Sequence, residues 1–529
     1  PALPSALTVA DLPAVAPGDY LTPVPYGVVD LPADQRQEPL VLDFATLGHL
    51  HVAGSARSGR SQALRTMAGA LVREHSPADV HLYGIDCGNG ALLALTNFPH
   101  TGAVVQRSEA ERLSRLLGRL SGESARRQQL LASTGSANLV EYRTGRTDDR
   151  PPHIVVLIDR WEVFDKTYAD YDGGSLMNAV LALLRDGASV GIHLVLAGDR
   201  ALFSSRVSST TEDKLVLRLN DRADYSAIGL NHRNLPDEIE PGRAFRAADS
   251  AEAQIALLTA DPSGQAQARA LVAIAAEHRE RWVDVPAASL PFRVDVLPDQ
   301  LTYAQAREIA PAAKEMAPFV GVGGDDLAAL APDLAVTPTF VIGGPSRSGR
   351  STALLTVVAG LLRAGTPVVI AAPRRSPLRD LAGVEGVLDV ATDGEFSTGQ
   401  LVSALDKADG PAVVVIDDAE LLLKCDAGSE LGLIARTGAE QGRALVMAGT
   451  TEGLVAGFGG WHVDARRNRQ GMLISPQGLG DGELLGAKLT RGQLGGGRPG
   501  RALTHFGDGR IHVVQVPETT VEDVLSSLR

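Results

Sequence analysis

Cysteine is nearly absent from this 529-residue chain: there are two, Cys87 and Cys425, far apart and in no metal-type spacing. That excludes a disulfide-stapled fold and a cysteine-based zinc site, and it fits a reducing, cytosolic environment. Aromatic residues make up only 4% of the chain, and no uninterrupted apolar run is long enough to span a bilayer. No signal peptide is visible either. The chain opens with Pro1 rather than Met, so it is expected to be a piece of a longer protein whose membrane anchor, if any, lies outside it. An excess of positive charge is also lacking. Fifty Lys and Arg face 63 Asp and Glu, a formal net charge of −13, which argues against a general affinity for nucleic acid. There is no Ser/His/Asp set for nucleophilic catalysis. What remains is a composition 44% hydrophobic and 21% charged, as in an ordinary soluble α/β protein, in a chain too long for one core.

Short apolar runs alternate with amphipathic helical patterns. The first series is "HLHVAG", "VHLYGID", "GAVVQ", "HIVVLID", "HLVLAG" and "LVLRL". The same order recurs as "PTFVIGG", "TPVVIAAP", "GVLDVA", "AVVVIDDAE", "RALVMAG" and "GMLIS". Fully apolar strands separated by helices of 3.6-residue period indicate mostly parallel sheets covered on both faces. The tripeptide "PGR" closes both series, at Pro241–Arg243 and Pro499–Arg501, and each begins 82 residues after the acidic strand end, Asp159 or Asp417. A tandem duplication is therefore expected: a Pro- and Ala-rich linker over 1–20, a first domain over 21–287 and a second over 288–529.

Each copy carries a Gly-rich loop between an expected strand and an expected helix. The first is Gly54, Ser55, Ala56, Arg57, Ser58, Gly59, Arg60, Ser61 and Gln62. The second is Gly344, Pro345, Ser346, Arg347, Ser348, Gly349, Arg350, Ser351 and Thr352. Both fit the phosphate-binding pattern in which glycines let backbone N–H groups converge on phosphate oxygens at a helix N-terminus. Pro345 is expected to remove one of those N–H groups. Both loops have Arg where Lys is usual. A guanidinium is broad and planar, so it supports binding better than it follows charge developing on a γ-phosphate.

Ser61 and Ser351 are placed to coordinate Mg²⁺, together with Asp159 and Asp417 at the ends of their strands. The residue that would orient the attacking water follows each acid, and here the copies differ. The first has the cation Arg160; the second has Asp418, the one candidate catalytic base. Glu162 and Glu420, three residues past each strand-end acid, are weaker candidates because the turn can aim them elsewhere. His193, His462, Trp161 and Trp461 read as packing residues, and "EHRERW" (277–282) as a solvated helix face. Arg206, Arg218 and Arg222 are candidates for arginine fingers toward a neighbouring subunit.

With these residues in place, "YGVVDLPADQRQEPLVLDF" (26–44), "LYGIDCGNGALLAL…FPHTGAVV" (82–105), "GIHLVLAGDR" (191–200) and "LVLRLNDRADYSAIG…PGRAF" (215–245) resemble the cytosolic ATPase modules of type VII secretion, the EccC/EssC group of the FtsK/SpoIIIE family. The second copy shares "GPSRSGRST", "VVVIDD" and "PGRALTH" with that pattern. The resemblance implies two tandem RecA-like α/β P-loop ATPase domains, the second and third modules of a membrane-associated secretion ATPase. It further implies ATP and Mg²⁺ as ligands, little hydrolysis in these later modules, and regulation of a first module that is the principal motor. The implied partners are that first module, the membrane region of the parent, the C-terminal tail of a WXG100-type substrate, and further copies in a hexamer. The implied location is the inner face of the cell membrane. The alternative is a segment of an FtsK/SpoIIIE-type DNA translocase, or of another large FtsK/SpoIIIE-family ATPase without a secretion role.

Overall fold

A computed structural model describes residues 3–528 except 19, 205, 232, 234, 311, 496 and 497. The chain divides into two compact units, Pro1–Val294 and Asp295–Arg529. In the first, ten strands are β1 (Val24–Leu31), β2 (Arg36–Leu42), β3 (Leu50–Ala53), β4 (Val80–Asp86), β5 (Thr101–Gln106), β6 (His153–Asp159), β7 (Ile192–Gly198), β8 (Lys214–Leu217), β9 (Arg243–Arg246) and β10 (Glu252–Ile255). They form one sheet in the order β2-β1-β10-β9-β8-β3-β7-β6-β4-β5. From β8 to β5 the pairings are parallel, and from β8 to β2 antiparallel.

The second unit repeats this plan with β11 (Gly321–Gly323), β12 (Ala328–Leu330), β13 (Thr339–Gly343), β14 (Val368–Ala371), β15 (Val387–Ala391), β16 (Ala412–Ile416), β17 (Arg443–Gly449), β18 (Gln470–Ile474), β19 (Arg501–Phe506) and β20 (Ile511–Gln515). Its sheet order, β12-β11-β20-β19-β18-β13-β17-β16-β14-β15, matches the first strand for strand. The expected α/β architecture and the tandem duplication are therefore both present.

The continuous apolar runs follow from burial on both faces. Along β6, Val155 and Leu157 point into a core with Leu64 and Leu71 of the helix Arg60–Glu74. Ile154, Val156 and Ile158 point into the opposite core, with Leu116 and Leu120 of the helix Ala110–Thr134. Helix packing is close where it needs to be: a β-carbon on Gly69 would lie 2.7 Å from Leu258 Cδ2. The second sheet is likewise enclosed between two cores. Among the described residues no helix is long and apolar enough to cross a membrane.

Two boundary expectations are corrected. Residues 1–20 do not behave as a free linker; of them, Pro1, Ala2 and Asp19 lie outside the described residues. Leu3 and Leu7 are buried with Val28 and Ala256. Leu257 N–H donates to Leu7 O, and Val9 N–H to Leu257 O. In the second unit Glu518 N–H donates to Leu301 O, and Tyr303 N–H to Glu518 O. The two straps share a signal, Leu3-Pro4…Leu7-Thr8 and Leu297-Pro298…Leu301-Thr302. The Arg of each Pro-Gly-Arg ties its own strap: Arg243 donates to Leu3 O and Pro4 O, and Arg501 to Leu297 O and Pro298 O. Each module therefore starts at its strap. The expected junction at 288 falls inside a stretch that packs on the first unit, where His81 Nε2 meets Ser289 O and Tyr83 stacks on Phe292.

Candidate functional site

Both loops lie between the central parallel strand and the helix that follows it, β3 to Arg60–Glu74 and β13 to Arg350–Arg363. Their backbones are alike. Arg57 and Arg347 have φ of 63° and 64°, and Gly59 and Gly349 have φ of 104° and 100°. The left-handed turn favours glycine at the second pair. The first glycine is also required: a β-carbon on Gly54 would lie 2.2 Å from Ser58 Oγ, and one on Gly344 2.6 Å from Ser348 Oγ. Pro345 removes less than expected. In the first loop the N–H of the same position, Ser55, is already donated to Arg218 O at 2.9 Å and is not aimed at a ligand.

The arginines that replace Lys are bent back onto their own loops. Arg60 Nη1 donates to Gly54 O at 3.0 Å, and its Nη2 donates to Glu162 Oε1 at 2.6 Å. Arg350 Nη1 donates to Gly344 O at 3.1 Å, its Nη2 donates to Asp418 Oδ1 at 2.9 Å, and Glu420 Oε1 lies 4.0 Å from Nη1. These are charge-assisted pairs in a mostly buried setting, so each guanidinium is neutralised where a phosphate would need it. Asp418, the candidate base, is therefore engaged as a counter-ion. Its carboxyl is raised above the usual range by burial first, then by Asp417 and Glu420, against the pull of Arg350 and Arg374.

Glu162 and Glu420 were weighed too lightly in the sequence. Each sits on the turn after a left-handed residue, Arg160 with φ 59° or Asp418 with φ 49°, and is aimed back at the loop. Glu162 Oε2 accepts Asp199 N–H at 3.2 Å, and Glu420 Oε2 accepts Thr450 N–H at 3.3 Å, so both are pinned to the strand next to the loop strand. The signal that could have found them is their equal offset from Asp159 and Asp417.

Ser61 Oγ donates to Asp159 Oδ1 at 2.9 Å, and Ser351 Oγ to Asp417 Oδ2 at 2.7 Å, which brings the expected metal pair together in each module. Burial holds the Asp159 carboxyl above its usual range, with the Ser61 hydrogen bond, Arg60 and Arg160 opposing that rise and Asp86 adding to it. One hydroxyl and one carboxylate fit Mg²⁺, which keeps several waters and takes phosphate oxygens as further ligands. Among the described residues no group of three or more His, Cys, Asp or Glu could hold a metal alone, so such an ion would arrive with its phosphates.

The first loop opens on a cavity of about 1040 Å³ lined by Arg57, Arg60, Ser61, Arg160 and Glu162 among others. Its size suits a nucleotide. Of the finger candidates, Arg206 is exposed, Arg218 reaches Ala56 O, and Arg222 is used on Leu235 O and Pro236 O. His193 is buried against His153, His462 Nε2 donates to Ala456 O, and Trp161 and Trp461 are buried, all as packing residues.

Residues 14–206 match the FtsK/SpoIIIE family. The ESX secretion system protein EccC of Thermomonospora curvata is 28% identical over 375 residues, 69% of this chain and 27% of that protein. The ESX-4 secretion system protein EccC4 of Mycobacterium tuberculosis is 28% identical over 350 residues, 65% of this chain and 26% of that one. The chain thus spans about a quarter of the length of these relatives. Among solved structures, ATPases 2 and 3 of EssC from Geobacillus thermodenitrificans align with a TM-score of 0.73 at 21% identity, over 98% of this chain and 99% of that one. ATPases 2 and 3 of Thermomonospora curvata EccC, solved in complex with a signal sequence peptide, align with a TM-score of 0.62 at 22% identity, over 98% and 99%.

Proposed function

We propose, for a chain that belongs to the FtsK/SpoIIIE family in its EccC/EssC branch of type VII secretion ATPases, that both modules hold ATP with little or no turnover. They serve in this reading as the regulatory and substrate-receiving segment of a larger secretion ATPase. The observation that carries it is the fate of the loop arginines. A working site needs a cation free to follow the γ-phosphate and a carboxylate free to orient water. Here Arg60 is bound to Glu162, and Arg350 to Asp418, so the two requirements cancel each other.

The proposed ligands are ATP at residues 54–62 and 344–352, with Mg²⁺ as the ion at Ser61 and Asp159 or Ser351 and Asp417. The proposed partners are a first ATPase module and the membrane region of the parent, a WXG100-type tail, and further copies in a hexamer at the cytoplasmic face of the membrane. The tail finds support in the signal sequence peptide bound to the related EccC modules. Titration with a fluorescent ATP analogue and Mg²⁺, alongside phosphate release, tests the reading. Saturable binding with negligible release is expected. Binding that is absent, with no change on Arg60→Ala or Arg350→Ala, would refute it, and rapid DNA-stimulated turnover would point to a translocase instead.

A further inference from the structure

The two sites differ by an exchange of charge. In the first sheet Asp86 pairs with Asp159; in the second, Ala371 pairs with Ile416, which sets Ala372 beside Asp417. Asp86 and Ala372 therefore correspond, and two residues further on Gly88 corresponds to Arg374. A β-carbon on Gly88 would lie 3.2 Å from Arg160 Nε and 3.2 Å from Asp159 Oδ2. The Arg160 side chain and the Asp159 carboxylate thus both border the space over Gly88, which a larger residue would fill, and Arg160 is close enough to act on the Asp159 charge. In the second module the acid Asp418 stands where Arg160 does, and the cation comes from Arg374 on the neighbouring loop.

A second difference lies one helical turn past the metal serines. Arg65 lines the first cavity and interacts with Asp159 and Asp86, whereas the matching Leu355 is buried and apolar. Among the positions that differ around the strand-end acid, the first site has Arg65, Arg160 and Asp86, a net of one positive charge. The second has Arg374 and Asp418 at these places, with no net charge.

A nucleotide's phosphates ordinarily bring Mg²⁺ to screen them from the strand-end acid. A guanidinium can grip phosphate oxygens and carboxylate at once without a metal. Where no such excess of cations exists, phosphates need the ion between. We propose that, when the ion at Ser61 and Asp159 is removed, Arg160 does the work of a divalent cation between Asp159 and bound phosphates, so that the first module retains nucleotide without Mg²⁺ while the second requires it. This rests on the reading that both modules hold nucleotide.

The full chain irradiated with 8-azido-ATP, in Mg²⁺ or in EDTA, and then digested reports where the label sits. In Mg²⁺ both units are expected to be labelled. In EDTA the first keeps its label, and the second loses it by about tenfold or more. Arg160→Ala should make the first unit as EDTA-sensitive as the second, and Arg160→Lys, which keeps the charge, should not. EDTA that strips both units, or Arg160→Ala that leaves the first EDTA-resistant, overturns this inference alone. No label on either unit in Mg²⁺ overturns the nucleotide reading and this inference with it.

Discussion

Arg60 and Glu162, 102 residues apart in sequence, are joined by a 2.6 Å hydrogen bond from Nη2 to Oε1, with side chains only 10% and 22% exposed. The bond closes the phosphate loop on itself, since the same guanidinium also holds Gly54 O. A γ-phosphate bound at this loop would have to compete with Glu162 for Arg60. Glu162 is held in turn by the Asp199 N–H, so it does not simply swing away. In the proposed reading, nucleotide binding in the first module is a competition between two anions for one guanidinium.

Removing the competitor should strengthen binding. Glu162→Gln keeps an acceptor for the Asp199 N–H but loses the charge that holds Arg60. A charge-assisted pair in this setting is worth about 1–3 kcal/mol. Nucleotide affinity of the first module is therefore expected to rise about tenfold, measured by titration with a fluorescent ATP analogue. Weaker binding instead would mean that Glu162 itself contacts the bound nucleotide.

Much of this was legible in the residues. Continuous apolar runs such as "HIVVLID" announced strands buried on both faces, and two Gly-rich loops at matching places announced the duplicated sites. Glu162 was not legible, because its aim depends on the left-handed turn at Arg160, and φ there is set by the tertiary fit and not by local propensity. The straps were missed for another reason. Leu3, Leu7, Leu297 and Leu301 give a four-residue apolar spacing too short to separate from a Pro- and Ala-rich linker. Only the pairing of Leu7 with Leu257 and of Leu301 with Glu518, distant in sequence, makes the straps part of the modules.

The second module should regain turnover when its loop cation is restored. In Arg350→Lys the compact ammonium cannot fork between Gly344 O and Asp418 as the guanidinium does. That frees both the cation and the acids around it. Phosphate release in Mg²⁺ and ATP is expected to rise about tenfold over the unmodified chain, within the usual reach of general-base catalysis. Adding Glu420→Gln should abolish the gain if Glu420, not Asp418, is the base that is freed.

The strap of the first module depends on Arg243. Its side chain donates to Leu3 O and Pro4 O and is paired with Glu252 at 2.6 Å. Arg243→Ala is expected to destabilise the unit by about 1–3 kcal/mol. Hydrogen exchange localises the effect: the amides of Val9 and Leu257, which bridge strap and body, should exchange faster, while those of β6 stay protected.

Acid should unfold the first module before the second. Among the described residues eight histidines are buried there, His49, His51, His75, His81, His100, His153, His193 and His278. Burial pushes His49, His81 and His193 down to about 4, and His51 and His100 to about 3. Burial also holds His153 well below its usual value, with Nδ1 2.9 Å from His193 Nε2 and its ring stacked on Phe44. A folded pKa below the unfolded value means that the unfolded chain binds more protons in that window. Stability is therefore full above about pH 6.5 and falls as pH drops toward 4, by up to ~1.4 kcal/mol per histidine per pH unit. Three such residues alone weaken the unit by about 4 kcal/mol at pH 5.5, a large share of the stability of an ordinary domain. Among the described residues of the second unit only His462 and His505 are buried histidines. Calorimetry at pH 7.5 and 5.5 should thus show one transition moving sharply down and the other moving little. Limited proteolysis at pH 5.5 should cut first between residues 20 and 294. Two transitions that shift together would mean that the buried histidines do not set the acid limit.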